Sequence, residues 1–389
     1  MVTGIDLVEW QVRIAAGEVL TVAQSDVVLN GHAVEARVYA EVPERNFMPS
    51  MGRIVALAEQ GAGDATVSGH RQAHANVRID SAMRDRLEIT GGLRSMLAKV
   101  IAWGEDRAAA LDTLDAALGR YTLLGVDTNV EYLRLLINDP EVRAGHLDTG
   151  LIERKLPSLE FRHVGPAELI AAALTLWLER TGAVLAGDAW KSADSWRIGG
   201  RGAWTVTFGV PGGGVVAVSI TEEDSTVTAS IDGGNPSSIK AVDRTATSIA
   251  LELDGGLVTF AVGITQGDAQ EIYVGNDGWS CRLEVLNRAE RLRRMLAGIE
   301  REDGGAADPE VRSPMPGTVV SVSVVDGDLV EEGQALLAVE AMKMEHQLVA
   351  SVAGGTVHLT SKPGDLVKAD QVLATIHVDK TSTDEEVQR

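Results

Sequence analysis

Cysteine occurs once, at Cys281, in 389 residues. That excludes an internal disulfide framework and a zinc site built from several thiolates. Aromatic residues are scarce at 4%, whereas 41 residues are glycine, a balance that points to many turns and short strands. Basic residues are outnumbered, 35 against 56 acidic ones, for a net charge of −21. A phosphate backbone is repelled by such a chain unless a local basic patch exists. The densest cluster, Arg288, Arg291, Arg293 and Arg294, is interrupted by Glu290, so no nucleic-acid partner is expected. Long apolar runs are missing too. The longest, Leu169 to Leu178, is bounded by Glu168 and Glu179 and is too short for a bilayer. No basic-then-apolar signal precedes Asp6. The expectation is a soluble cytoplasmic protein with no membrane partner.

Catalytic constellations are equally sparse. His70 and His74 stand four apart, but in a glycine, alanine and serine stretch without a third ligand, so no metal is expected. No Gly-x-Ser-x-Gly elbow occurs, and Cys281 reads as a small strand residue. Gly212-Gly213-Gly214 lacks the Lys-Ser/Thr of a phosphate loop and reads as a hairpin turn. The acidic pairs Glu222-Glu223 and Glu331-Glu332 read as solvated turns.

A chain this long holds two to three domains, at about 100–200 residues each. Zone one, residues 1–155, mixes helices and strands. Thr3 and Asp6 form a capping-box pattern before Leu7, Trp10 and Ile14, with Gly17 as a stop. From His32 the period becomes two: Val34, Ala36, Val38 and Ala40 face one way, Glu35, Arg37, Tyr39 and Glu41 the other. A helix from about Glu105 carries Leu111, Leu114 and Leu118, and a second capping box at Thr128 and Glu131 opens another helix. Zone two, residues 156–300, opens with a helix apolar nearly all round, which demands burial on most sides. Seven strand-like runs follow: Ala203–Val210, Val215–Thr221, Thr226–Ile231, Ser248–Leu253, Leu257–Val262, Gln270–Val274 and Trp279–Val285. An antiparallel barrel wrapped around the helix is the expected form, closed by a second helix from about Arg288. Residues 301–312 have linker composition, and the tail 380–389 is expected to be disordered.

Residues 313–379 contain a duplication. Gly317-Thr318-Val319 recurs as Gly355-Thr356-Val357, Gly327-Asp328-Leu329-Val330 as Gly364-Asp365-Leu366-Val367, and Gln334 and Leu336 as Gln371 and Leu373. Two strand–turn units too small to fold alone would bury each other's apolar faces about a pseudo-two-fold. Between them runs Glu340-Ala341-Met342-Lys343-Met344-Glu345-His346, which puts an accessible lysine on a hairpin, flanked by adaptable methionines.

With Pro314-Met315-Pro316-Gly317 upstream and Gly354-Gly355 after it, this segment resembles the biotinyl domain of biotin-dependent carboxylases. The resemblance implies biotin bound covalently to Lys343, with Ala341, Met342 and Met344 as the motif a biotin protein ligase recognises. A lipoyl domain shares the duplicated fold but usually lacks the paired methionines. Residues 1–150 resemble the C-terminal part of a biotin carboxylase in four ordered blocks: Val2–Glu9, Gly31–Val38, Met96–Ile101 and Gly125–Asn129. Arg37 matches the family arginine that lies near bicarbonate, phosphate and the biotin ureido group; otherwise it is a strand arginine paired with Glu35 or Glu41. Leu93-Arg94 stands where the family has Tyr-Asp, and Gly91 and Gly92 replace bulkier residues. The ATP-grasp part lies outside the resemblance, so ATP, magnesium and bicarbonate belong to the complete enzyme.

The implied architecture is an α+β biotin carboxylase C-terminal domain, an antiparallel β-barrel around a helix, and an all-β barrel-sandwich biotinyl domain. The implied function is carrier and docking portion of an acyl-CoA carboxylase alpha subunit. Residues 156–300 would dock the carboxyltransferase beta subunit, which brings the acyl-CoA; the biotin carboxylase site would act in cis or trans. The alternatives are a fragment of a full ATP-dependent subunit, a non-catalytic assembly protein, and a lipoyl-type carrier.

Overall fold

The computed structural model describes residues 1–45, 47–59, 76–90, 96–182, 196–197, 200–223, 226–265, 270–294, 310–313, 317–341, 344–352, 355–368 and 371–377. His70, His74, Gly91, Gly92, Leu93, Arg94, Met342, Lys343, most of 301–312 and the tail lie outside the described residues. The chain divides into two compact units, Met1–Asn287 and Arg288–Arg389.

In the first unit the two-residue period forms strand His32–Tyr39, with Ala36 and Val38 buried and Glu35 and Arg37 exposed. It pairs antiparallel with Met96–Gly104, which pairs on its other side with Val77–Ser81. Helix Arg107–Arg120 covers the inner face with Leu111, Leu114 and Leu118. Its cap is Asp106, whose carboxylate accepts from the Ala109 N–H at 2.8 Å.

Neither predicted capping box forms. Helix Leu7–Ala15 is capped by Asp6 itself, which accepts from the Val8 and Glu9 N–H groups, while Thr3 bonds the Ile5 N–H. Helix Val130–Ile137 has no side-chain cap. Glu131 turns away to accept from the Arg162 N–H at 2.6 Å. A tertiary partner has won over the local one. After Asp139-Pro140 the chain closes in ion pairs: Lys155 bonds Asp139 and Glu141, and Arg154 bonds Asp148 at 2.7 Å.

Arg154, aided by the Gly150 N–H, brings the Asp148 carboxyl down from 3.8 to about 2. A lowered folded value means this contribution is present above the unfolded value and is lost as pH falls through about 2. A carbon-detected titration should place Asp148 near that value, and Arg154→Ala should return it toward the ordinary range.

Helix Pro166–Gly182 begins the next part, with Ala171, Ala172, Ala173 and Leu174 fully buried. Around it closes an eight-stranded antiparallel barrel in sequence order, from Trp204–Gly209 to Trp279–Val285, with Phe208↔Val285 completing the ring. Inward residues such as Phe208, Ile220, Leu251, Phe260 and Leu283 share one core with the helix. The strand absent from the sequence-based set is Ser237–Arg244, which buries only Ile239 and has a bulge after Ala241, so its alternation is erased. Gly212 and Gly213 make the predicted turn, both with positive φ. Three other hairpins turn at Asp232-Gly233, Asp254-Gly255 and Asp277-Gly278, with φ positive at both residues of each. Glu222 and Glu223 are a correction: they end strand Val215–Glu223, paired with Val227 and Thr226.

Cys281 faces the barrel core, where burial, reinforced by the Glu168 charge, pushes its thiol up to about 12. Iodoacetamide at pH 8 should leave it unmodified in the folded chain and alkylate it in denaturant. Rapid labelling of the folded chain would contradict this burial.

The second unit contains two four-stranded sheets that realise the duplication. Each half lends its short strand to the other: Leu329↔Thr356 and Val330↔Gly355 are matched by Leu366↔Thr318 and Val367↔Gly317. The Val319 N–H donates to the Asp365 carbonyl at 2.9 Å, as Val357 does to Asp328. Asp328 and Asp365 accept from the Val325 and Lys362 N–H groups, and Gln334 and Gln371 from those of Glu331 and Lys368. The repeated residues are therefore the turn-closing and strand-swapping ones.

Candidate functional site

The candidate attachment segment is framed by strands Ala335–Ala341 and Met344–Val349, antiparallel and paired as far as Ala341↔Met344. Residues 342 and 343 connect them in sequence. Gly317 packs against this pair: a Cβ there would lie 2.5 Å from the Glu340 carbonyl oxygen. Glu340 and Glu345 face each other in register and are exposed, while His346, in register with Val339, is buried, and among the described residues its Nε2 has no partner. Covalent attachment of biotin requires a primary amine. The other lysines of this stretch, Lys362 and Lys368, are exposed in turns of the second half. The sequence places a further primary amine, Lys343, between the two strands, so the residue types present fit such a group.

Arg37 lies on the outer face of the three-stranded sheet, opposite Lys99. Its Nε donates to Glu35 at 2.9 Å, and this bond, then one to Tyr39, raises the guanidinium above its usual value. The expected pairing with Glu35 is thus present. Buried Asn129 positions the strand, accepting from the Tyr39 N–H at 2.8 Å and donating to the Arg37 carbonyl at 3.2 Å. Among the described residues no group of three or more His, Cys, Asp or Glu could hold a metal ion, and no helix is long and apolar enough to cross a membrane.

Sequence reasoning missed the junction between the α+β part and the barrel. Arg162 forms an ion pair with Glu168, donates to Asn276 at 2.8 Å, and stacks 4.5 Å above the Trp279 ring. Trp279 Nε1 donates back to the Arg162 carbonyl at 3.1 Å. Glu168 also accepts from the Gly165 N–H at 2.9 Å and is only 5% exposed in its side chain. A second clasp joins Arg134 to Asp115 and, across the junction, to Asp277 at 2.9 Å. Ala56, Leu124 and Tyr273 fill the space between. Close approach needs glycine at Gly278, where a Cβ would come 2.8 Å from the Leu118 carbonyl oxygen and φ is +74°. The sequence-level signal was Glu168, a carboxylate at the edge of an apolar helix that burial obliges to find a partner.

Three family models match the chain in order: biotin carboxylase C-terminal domain over residues 35–154, methylcrotonyl-CoA carboxylase alpha-subunit BT domain over 165–288, and biotin-requiring enzyme over 309–376. The propionyl-CoA carboxylase alpha chain of Ruegeria pomeroyi is 31% identical over 96% of this chain and 55% of that protein. The mitochondrial methylcrotonoyl-CoA carboxylase subunit alpha of Mus musculus is 30% identical over 91% of this chain and 48% of that protein. A biotin carboxylase domain of Hydrogenobacter thermophilus 2-oxoglutarate carboxylase is 33% identical, covering 42% of this chain and 33% of that one, with a TM-score of 0.37. The chain spans about half the length of the curated relatives it matches. In order along the sequence, the chain matches the biotin carboxylase C-terminal, BT and biotinyl domains of acyl-CoA carboxylase alpha subunits and is similar to part of the propionyl- and methylcrotonyl-CoA carboxylase subunits.

Proposed function

We propose that this chain is the biotin-carrying and subunit-docking portion of an acyl-CoA carboxylase, with Lys343 as the attachment residue. The observation that carries the reading is the duplicated pair of sheets together with the sequence Ala341-Met342-Lys343-Met344, in which register-paired Ala341 and Met344 flank Met342 and Lys343. Ala341, Met342 and Met344 are what a biotin protein ligase reads. Attachment replaces the lysine charge with a neutral amide. Bound biotin supplies a ring nitrogen that accepts a carboxyl group at one site and releases it at another. The carrier itself contributes reach and presentation, and needs no acid, base or metal.

Carboxylation of biotin with ATP, magnesium and bicarbonate belongs to the remaining biotin carboxylase part, in cis or in trans. A surface suited to such a partner exists on the first unit: Leu7, Val8, Val12, Ile14, Val28 and Leu29 are each more than half exposed within one short stretch. Helix Leu7–Ala15 buries none of its residues within this chain, which suits it to cover by a partner. Arg37 then serves the carboxylase chemistry by holding an oxyanion through paired N–H donors. Residues 156–300 dock the carboxyltransferase beta subunit, and the acyl-CoA reaches the chain through that partner in the cytoplasm. Co-expression with a biotin ligase and streptavidin blotting tests the carrier reading. A band at the mass of this chain is expected, and its absence contradicts the reading.

A further inference from the structure

We propose that Lys99 is a second cation of the anion subsite around Arg37, completing a place for a small oxyanion of the phosphate or bicarbonate kind. The inference rests on the reading of Arg37 given above. In the sheet register Lys99 lies between Arg37 on one neighbouring strand and Asp80 on the other. All three lie on the outer face, opposite to buried Ala36, Val38 and Val100.

Like charges directly opposite each other across strands are destabilising and opposite ones favourable, and Lys99 has Arg37 on one side and Asp80 on the other. Here the carboxylates go elsewhere. Asp80 accepts from Arg78 Nε at 2.7 Å, and Glu35 accepts from Arg37 Nε at 2.9 Å. Among the described residues Lys99 makes no ion pair and no side-chain hydrogen bond, although it is half-buried. The face carries Arg37, Lys99 and Arg78 together with Glu35 and Asp80, and the Asp6 charge also acts on Arg78, which leaves Lys99 as the cation of this face without a carboxylate hydrogen-bonded to it among the described residues. An oxyanion seated between Arg37 and Lys99 would accept from the guanidinium fork and from the ammonium together, removing the like-charge contact.

The test uses the full chain and two probes, inorganic phosphate and bicarbonate, against chloride at equal ionic strength. Trace acetylation followed by peptide mass spectrometry reads the reactivity of Lys99, with exposed Lys240 and Lys362 as internal references. The Arg37 Nε resonance independently reports anion binding at the arginine. Protection of Lys99 should rise with probe concentration as 1 + [L]/Kd, leave the reference lysines unchanged, and vanish in Arg37→Ala. Lys99→Gln should weaken the probe-induced Arg37 shift several-fold, and Lys99→Arg should restore it. The stronger of the two probes identifies the anion. If the Arg37 resonance moves while Lys99 stays fully reactive, the role of Lys99 is overturned and the reading of Arg37 stands. If neither responds, both fail. Equal protection by chloride, or of Lys240, reduces the effect to charge screening and also overturns the proposal.

Discussion

Lys343→Arg should leave the chain folded and wholly without biotin. Attachment needs a nucleophilic primary amine, and a guanidinium stays protonated and delocalised at any pH the protein survives. Charge and length are nearly preserved, so the variant isolates the chemistry. The fold should not depend on this residue, because the two halves are joined by Leu329↔Thr356 and Leu366↔Thr318 and by the turns of Asp328 and Asp365. After co-expression with a biotin ligase, intact mass should show the unmodified chain only, with an unchanged circular dichroism spectrum. Biotin retained on Lys362 or Lys368 would move the attachment site and refute the assignment.

Arg162→Ala should cost about 3 kcal/mol of stability, because it strands a buried carboxylate. Glu168 is 5% exposed in its side chain, and among the described residues its other donor is the Gly165 N–H. Arg162, at 38% exposure, can be rehydrated, so Glu168→Gln should cost less than Arg162→Ala. The double variant should be markedly more stable than the sum of the two single losses implies, since neither then leaves an unpaired charge. Denaturant unfolding of the four proteins reads the coupling. Because Arg162 also bonds Asn276 and covers Trp279, its loss should increase hydrogen exchange on both sides of the junction. Strictly additive losses would contradict a buried, mutually dependent pair.

The parts legible in the sequence are those set by local periodicity. Ala36 and Val38 alternate with Glu35 and Arg37, and the strand follows. The apolar circumference of Leu169–Leu178 requires a surrounding wall, and the barrel supplies one. The duplication predicted two halves, and their matched register is its physical form. Strand Ser237–Arg244 was illegible because one buried residue, Ile239, leaves no period to read. Glu131 looked like a capping residue, but its actual partner, the Arg162 N–H, is 31 residues away. Lys99 carried no local signal either, since the cation opposite it comes from a strand far off in sequence. The motif lysine was conspicuous for a different reason: its flanking methionines contradict the usual chemistry of a hairpin turn.

The most direct test of the carrier assignment is transfer of labelled carboxyl. Biotinylated chain is mixed with a complete biotin carboxylase, ATP, magnesium and labelled bicarbonate, then freed of small molecules and counted. The account predicts protein-bound, acid-labile label that requires the added carboxylase and is absent from Lys343→Arg. Label that persists in Lys343→Arg, or no label on fully biotinylated chain with an active carboxylase, would contradict it.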